Sequence, residues 1–150
     1  MNVLTIGSFD GLHVGHLELL NESRRIADRL GAALIVAVNS DEFITAYKGR
    51  HPLYPYTHRV EMLDALAAVD AVVKNIGNED AKPVIEVVNP VLLTIGDDWL
   101  DLDLEGGKDE RRYFEQLNVT RIWMLEHNLR VEYIPRTRGI SSTAIRNVLR

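Results

Sequence analysis

The sequence predicts an α/β fold: one parallel five-stranded sheet with helices on both faces, in a single domain over residues 1–150. Three observations carry this expectation. Short apolar runs alternate with helical patterns, and parallel strands need helical crossovers between them. Polar segments follow four of the five apolar runs, where open parallel sheets bind ligands. No repeat, low-complexity tract or linker divides the 150 residues, a length that suits one domain with a real core.

The elements follow in order. Val3–Ile6 reads as a buried strand, and Leu17–Leu30 as the first helix, with Gly31 as its C-terminal glycine. Ala33–Val38 is strand two. A second helix begins at Tyr56 or Thr57 and runs over Arg59–Ala68, with Val60, Met62, Leu63, Leu66 and Ala67 on its apolar side. Ala71–Val73 is strand three. A third helix starts at Asp80 or Lys82 and runs to Val88, with Pro83 in its first turn. Val91–Ile95 is strand four, followed by Gly96-Asp97-Asp98-Trp99 and an acidic loop from Leu100 to Lys108. Its Asp101, Asp103 and Glu105 read as a solvated loop before a metal site. Asp109–Leu117 and Arg121–His127 are two short helices, the second capped by Thr120. Val131–Ile134 is strand five, and Ser141 caps a last helix over Thr143–Leu149.

Composition narrows the function. Hydrophobic residues make up 46% of the chain, enough for a packed core. The absence of cysteine excludes disulfides and thiolate zinc sites. The net charge of -5 argues against nucleic acid as a partner. Met1 leads straight into a strand, with no signal peptide or membrane-length apolar run, so a cytoplasmic protein without membrane insertion is expected.

The most telling stretch is Gly7-Ser8-Phe9-Asp10-Gly11-Leu12-His13-Val14-Gly15-His16. It joins a strand to a helix N-terminus, where free N–H groups and the helix dipole favour anions. His13 and His16, three apart, share one helix face there. Such a pair could also hold a metal, but no third His or Cys lies nearby. Gly7, Gly11 and Gly15 allow a tight turn and close approach of a ligand to the backbone. Together these groups suit phosphate. Near the C-terminus, Arg136-Thr137-Arg138-Gly139-Ile140-Ser141-Ser142-Thr143 opens a helix with three hydroxyl residues. That helix start can donate N–H and O–H bonds to phosphate oxygens.

On these residues the chain resembles a known family. His13-Val14-Gly15-His16 matches the HxGH signature of the nucleotidyltransferase superfamily, whose fold is Rossmann-like. The segment Arg136 to Thr143 resembles the RTxGISxT signature of its cytidylyltransferase branch. Ser40-Asp41-Glu42-Phe43, His58-Arg59 and Gly96-Asp97-Asp98-Trp99 are similar to stretches of glycerol-3-phosphate cytidylyltransferases. The resemblance covers nearly the whole chain, in the same motif order. One departure is the region between Trp99 and Val131, longer than those enzymes carry.

The resemblance implies direct in-line attack of an acceptor phosphate on the α-phosphorus of CTP, with pyrophosphate leaving. Glycerol 3-phosphate is the expected acceptor. His13 and His16 would contact the α- and β-phosphates, with Lys48 and Arg136 completing the catalytic set. Gly7, Ser8, Phe9, Asp10, Gly15 and Asp97 would hold the nucleotide, joined by Thr137, Gly139, Ile140, Ser141, Ser142 and Thr143. Asp41, Arg59, Asp98 and Trp99 would face the acceptor. Asp10 would hold magnesium or another divalent cation, or orient a histidine. Two alternatives stay open: an adenylyltransferase of the same superfamily, and a non-catalytic nucleotide-binding module. A homodimer is also implied, and the apolar residues of Asp109–Leu129, among them Tyr113, Phe114 and Trp123, are either interfacial or a cover for the sheet edge.

Overall fold

In a computed structural model that describes residues 1–136, the chain runs β1 (Asn2–Gly7), α1 (Val14–Leu30), β2 (Ala33–Val38), α2 (Asp41–Lys48), α3 (Tyr56–Asp64), β3 (Ala71–Lys74) and α4 (Lys82–Val88). It continues with β4 (Leu92–Gly96), a 3-10 turn at Asp97–Trp99, the short strands β5 (Asp101–Leu102) and β6 (Lys108–Asp109), α5 (Arg111–Leu117), α6 (Arg121–Glu126) and β7 (Val131–Ile134). Five strands form one sheet in the order β3-β2-β1-β4-β7. Every pairing in it is parallel. This is the expected Rossmann-like α/β fold. The expected last helix over Thr143–Leu149 and its Ser141 cap lie outside the described residues.

Side-chain alternation along the strands builds a core on each face of the sheet. On one face Val3, Leu34 and Leu92 pack with Ile26 and Ala27 of α1. Beside them Val36 and Val38 meet Leu20 of α1 and Leu63 of α3. On the other face Leu4, Ile6, Leu93 and Ile95 pack with Val84 and Ile85 of α4 and with Tyr113, Leu117 and Met124. The segment after β6 therefore covers the second face. Phe114 and Trp123 lean on that same cluster, which assigns most of the apolar bulk of Asp109–Leu129 to the core.

Several boundaries differ from the sequence reading. Asp41–Lys48, the polar stretch after strand two, is a helix. The Ser40 hydroxyl accepts from the Phe43 N–H at 3.1 Å, and only Phe43 and Ile44 are buried. Two apolar anchors in eight residues leave almost no periodicity to read. Helix α3 stops at Asp64, short of Ala68. The chain turns there because Leu66 donates back to Leu63 and Val69 to Leu66, while Arg24 donates to the Ala68 carbonyl at 3.3 Å. The acidic loop closes as a small hairpin, β5 against β6. The Asp103 carboxylate accepts from the N–H groups of Glu105 and Gly107, so it holds the turn. Helix α6 is capped by Thr120 as expected, with the Trp123 N–H donating at 3.1 Å.

Candidate active site

The strand order reverses direction between β1 and β4, and ligands bind at such a switch point beyond the strand ends. A cleft of about 410 Å3 opens there. Gly7, Ser8, Phe9, Asp10, His13, Gly15 and His16 line it from the β1–α1 junction. Lys48 enters from the end of α2, Gly96, Asp98 and Trp99 from the end of β4, and Arg136 from beyond β7. Residues from four distant stretches thus meet at one mouth, as their positions after strands predicted.

The histidines are placed by the helix they begin. Helix α1 starts at Val14, so His13 is its N-cap and His16 stands in its first turn. The Gly15 N–H donates to His13 Nδ1 at 3.1 Å, and the His13 N–H donates to His16 Nδ1 at 3.3 Å. This is a capping box built from two imidazoles. A neutral imidazole bears one proton, so each ring whose Nδ1 accepts carries it on Nε2. The cap therefore sets the tautomer of both rings and keeps their second nitrogens as donors. The two rings stack with centroids 3.8 Å apart, and Phe9 lies 5.3 Å from His16. Burial, followed by the charges of His13, Lys48 and Arg136, lowers the His16 pKa to about 4. His16 is a neutral donor near pH 7.

The glycines have steric reasons. A Cβ on Gly15 would meet His13 Cε1 at 2.9 Å, and one on Gly7 would meet the Phe9 ring at 2.9 Å. Phe9 itself is left-handed, with φ of 49°, and is buried. A non-glycine residue in that region stores strain of order 1 kcal/mol, and such strain clusters at ligand sites.

Some expected contacts fall elsewhere. Arg59 does not face the cleft. It is wholly buried, and its guanidinium donates to the carbonyls of Ser8, Asn39 and Tyr54 and to Asp41 Oδ1. Asp41 is the carboxylate partner of that clamp at 2.7 Å and does not line the cleft either. A guanidinium has five donors, and here the backbone around the histidine loop takes most of them. Asp97 also lies back from the cleft lining, where its Oδ1 accepts the Arg136 N–H at 3.3 Å and ties the end of β4 to that of β7. Thr137, Gly139, Ile140, Ser141, Ser142 and Thr143 lie outside the described residues.

Asp10 accepts from the N–H groups of Leu53 and Tyr54 at 2.8 and 2.9 Å. Among the described residues no three His, Asp or Glu side chains gather as a metal cage. Magnesium usually takes one or two carboxylates and completes its shell with phosphate oxygens and water. Each Asp10 oxygen keeps a second lone pair, so the donor set fits an ion that arrives with a polyphosphate.

Sequence reasoning missed an amide row on the cleft wall. Asn39 Nδ2 donates to Ser8 Oγ, Asn75 Nδ2 donates to Asn39 Oδ1, and the Ser40 hydroxyl donates to Asn78 Oδ1. Asn39 and Asn75 each follow a strand directly. A search for polar residues at carboxyl ends of strands would have found them. Tyr113 and Gln116 of α5 also line the cleft, and no local pattern marks them.

Residues 4–148 match the sequence profile of the cytidylyltransferase-like family. Glycerol-3-phosphate cytidylyltransferase of Bacillus subtilis (strain 168) is 33% identical over 144 residues, covering 96% of this chain and 93% of that protein. The Bifunctional protein HldE of Psychromonas ingrahamii is 41% identical over 108 residues, covering 71% of this chain and 22% of that much longer protein. The crystal structure of the lipopolysaccharide core biosynthesis protein from Thermoplasma volcanium GSS1 shares the fold, with a TM-score of 0.61 and 24% identity over 91% of this chain and 96% of that one.

Proposed function

The chain belongs to the cytidylyltransferase-like family, and from that premise we propose that it transfers the cytidylyl group of CTP to the phosphate of a small phosphorylated alcohol. Glycerol 3-phosphate is the first acceptor to try. An acceptor phosphate oxygen attacks the α-phosphorus, the bond from that phosphorus to the β-phosphate bridging oxygen breaks, and pyrophosphate leaves. The observation that carries this reading is the capped histidine pair beside Lys48 and Arg136 in the cleft.

The mechanism asks little covalent chemistry of the protein. The acceptor supplies its own nucleophile, so catalysis rests on alignment and on charge stabilisation. His13 and His16 present preset Nε2–H donors to oxygens of the transferring phosphate. Neutral His16 donates without having to gain a proton first. Lys48 and Arg136 add fixed positive charge close to His16. Asp98, 3.9 Å from Arg136, holds that guanidinium at the cleft. Arg59, Asp41 and Asp10 act one layer back and fix the histidine loop against the chain at Leu53 and Tyr54. Asp10 would also hold a magnesium ion bound with the triphosphate, which offsets phosphate charge.

The test is a pyrophosphate-release screen that crosses the four nucleoside triphosphates with glycerol phosphate, phosphocholine, phosphoethanolamine and sugar phosphates, with and without magnesium. Acceptor-dependent release with CTP well above ATP is expected. A preference for ATP overturns the cytidylyl reading and leaves family membership intact. A homodimer is proposed as well, and sedimentation velocity reads it directly. A protein that stays monomeric at high concentration refutes it. Among the described residues no helix is long and apolar enough to cross a membrane.

A further inference from the structure

The amide row on the cleft wall has a direction, and one backbone group fixes it. Asn75 Nδ2 lies 2.8 Å from Asn39 Oδ1 and 3.1 Å from the Asn78 carbonyl. A carbonyl only accepts, so the Asn75 atom that faces it is the nitrogen. The two hydrogens of that nitrogen serve the Asn78 carbonyl and Asn39, so the Asn39 atom facing it is the oxygen. The Asn39 nitrogen is then the atom 3.1 Å from Ser8 Oγ, and there the hydroxyl oxygen accepts. Reversing either amide, or both together, would set two donors or two acceptors face to face. The anchor itself is tied down. Asn78 is left-handed, with φ of 53°; its N–H donates to the Asn75 carbonyl at 3.3 Å, and its Oδ1 accepts from the Ser40 hydroxyl at 2.9 Å.

The direction decides what Ser8 can do. Its hydroxyl oxygen is occupied by the Asn39 amide and its carbonyl by Arg59 at 2.8 Å, so the hydroxyl proton leaves toward the remaining side. Among the described residues nothing accepts it, and Ser8 lines the cleft with His13 and His16. Resting on the transferase reading, we propose that Asn39 and Asn75 are positioning residues: they turn the Ser8 hydroxyl so that it donates into the cleft, to the same phosphoryl group that the histidine pair holds. Asn39 and Asn75 are 7% and 2% exposed, so they act through Ser8. Asn75 Oδ1 has no partner among the described residues. An unpaired buried acceptor destabilises a fold, so packing alone does not account for this side chain. A hydroxyl preset as a donor joins two imidazoles preset as donors, and a cluster that only donates suits an oxyanion.

A double-mutant cycle on the whole chain separates positioning from mere support of the fold. Calorimetry with CMP and with cytidine, which lacks the phosphate, gives a readout that needs no turnover. Ser8→Ala should weaken CMP by about three- to tenfold and leave cytidine unchanged. Asn75→Leu lets the Asn39 amide turn over, so that the Ser8 hydroxyl donates to Asn39 instead of to the ligand. It should therefore weaken CMP to a similar extent, again without effect on cytidine. The Ser8→Ala, Asn75→Leu double variant should match Ser8→Ala alone, because the group through which Asn75 acts is already gone. The kcat values should follow the same non-additive pattern. Melting curves accompany each variant. If Asn75→Leu does not fold, Asn75→Ala, whose cavity opens onto the cleft, takes its place, and failure of both to fold makes Asn75 structural and overturns the proposal. Additive losses, equal losses for CMP and cytidine, no binding of CMP by the parent, or unchanged CMP affinity in either single variant also overturn it. The expected CMP pattern without CTP-dependent pyrophosphate release refutes the transferase reading and leaves the positioning role in place.

Discussion

The rings of His13 and His16 stack 3.8 Å apart because one caps the helix turn that carries the other. Gly15 donates to the first ring and His13 to the second, so backbone donors fix both tautomers. The preset donors lead to the first prediction. His13→Ala and His16→Ala should each lower kcat by about two to three orders of magnitude, the usual loss for a preorganised donor. Both side chains line the cleft, so the thermal midpoint should move little by comparison. Parallel kinetics and melting curves check this, and a variant with near-normal rate contradicts it.

Gly15→Ala probes the same geometry without touching an imidazole. The new Cβ would stand 2.9 Å from His13 Cε1, so the ring must move. Displacement of a catalytic group by about 1 Å can cost a hundredfold in rate. The expected result is a folded protein with a large loss of kcat. Full activity would mean that the His13 position does not matter to the reaction.

The lowered pKa of His16 gives a signed pH dependence. Its folded value of about 4 lies below the ordinary histidine value of 6.5. Between these values the unfolded chain binds more protons than the folded one, so stability rises with pH across that window. Folding stability should fall as the solution is acidified from about 6.5 toward 4, and His16→Gln should flatten that slope. Urea unfolding at several pH values measures both. An equal slope in parent and variant would assign the acid sensitivity to other groups.

Arg59→Met should destabilise strongly. The wholly buried guanidinium serves three carbonyls and one carboxylate. Breaking a buried ionic network by removing one partner costs about 3–5 kcal/mol. Asp41→Asn, at a 40% exposed partner, should cost less. Chemical denaturation ranks the two, and the reverse order would contradict the clamp.

Trp123→Glu should destabilise the monomer, since Trp123 packs on the core cluster and stacks on His127 at 3.9 Å. Loss of cooperative melting is the expected readout. A folded variant that merely changes its sedimentation would return the residue to an interface.

Periodicity and junction chemistry made much of this protein legible in one dimension. The runs Val3–Ile6 and Ala33–Val38 declare strands because a doubly covered parallel strand is largely apolar on both faces, and Val131–Ile134 does so as a short apolar run at the sheet edge broken only by exposed Glu132. The junction between β1 and α1 was legible because glycines and paired histidines at a strand-to-helix turn are a local arrangement, complete within ten residues. The boundaries that slipped were those of α2 and α3, where a cap, a turn or a distant guanidinium such as Arg24 decides the end of an element.

Tertiary structure alone decided which charged residues reach the cleft. Arg59 and Lys48 are both cations on short helices after β2, and nothing in their neighbours separates them. Lys48 ends α2 at the mouth, whereas Arg59 points inward, where four oxygens wait for it. Likewise Tyr113 and Gln116 reach the cleft only because the chain after β6 folds back over the second face of the sheet. Apolar patterns report which side of one element is buried, because burial acts on each element alone. Which polar groups converge depends on how separate elements pack, and that depends on contacts far apart in the chain.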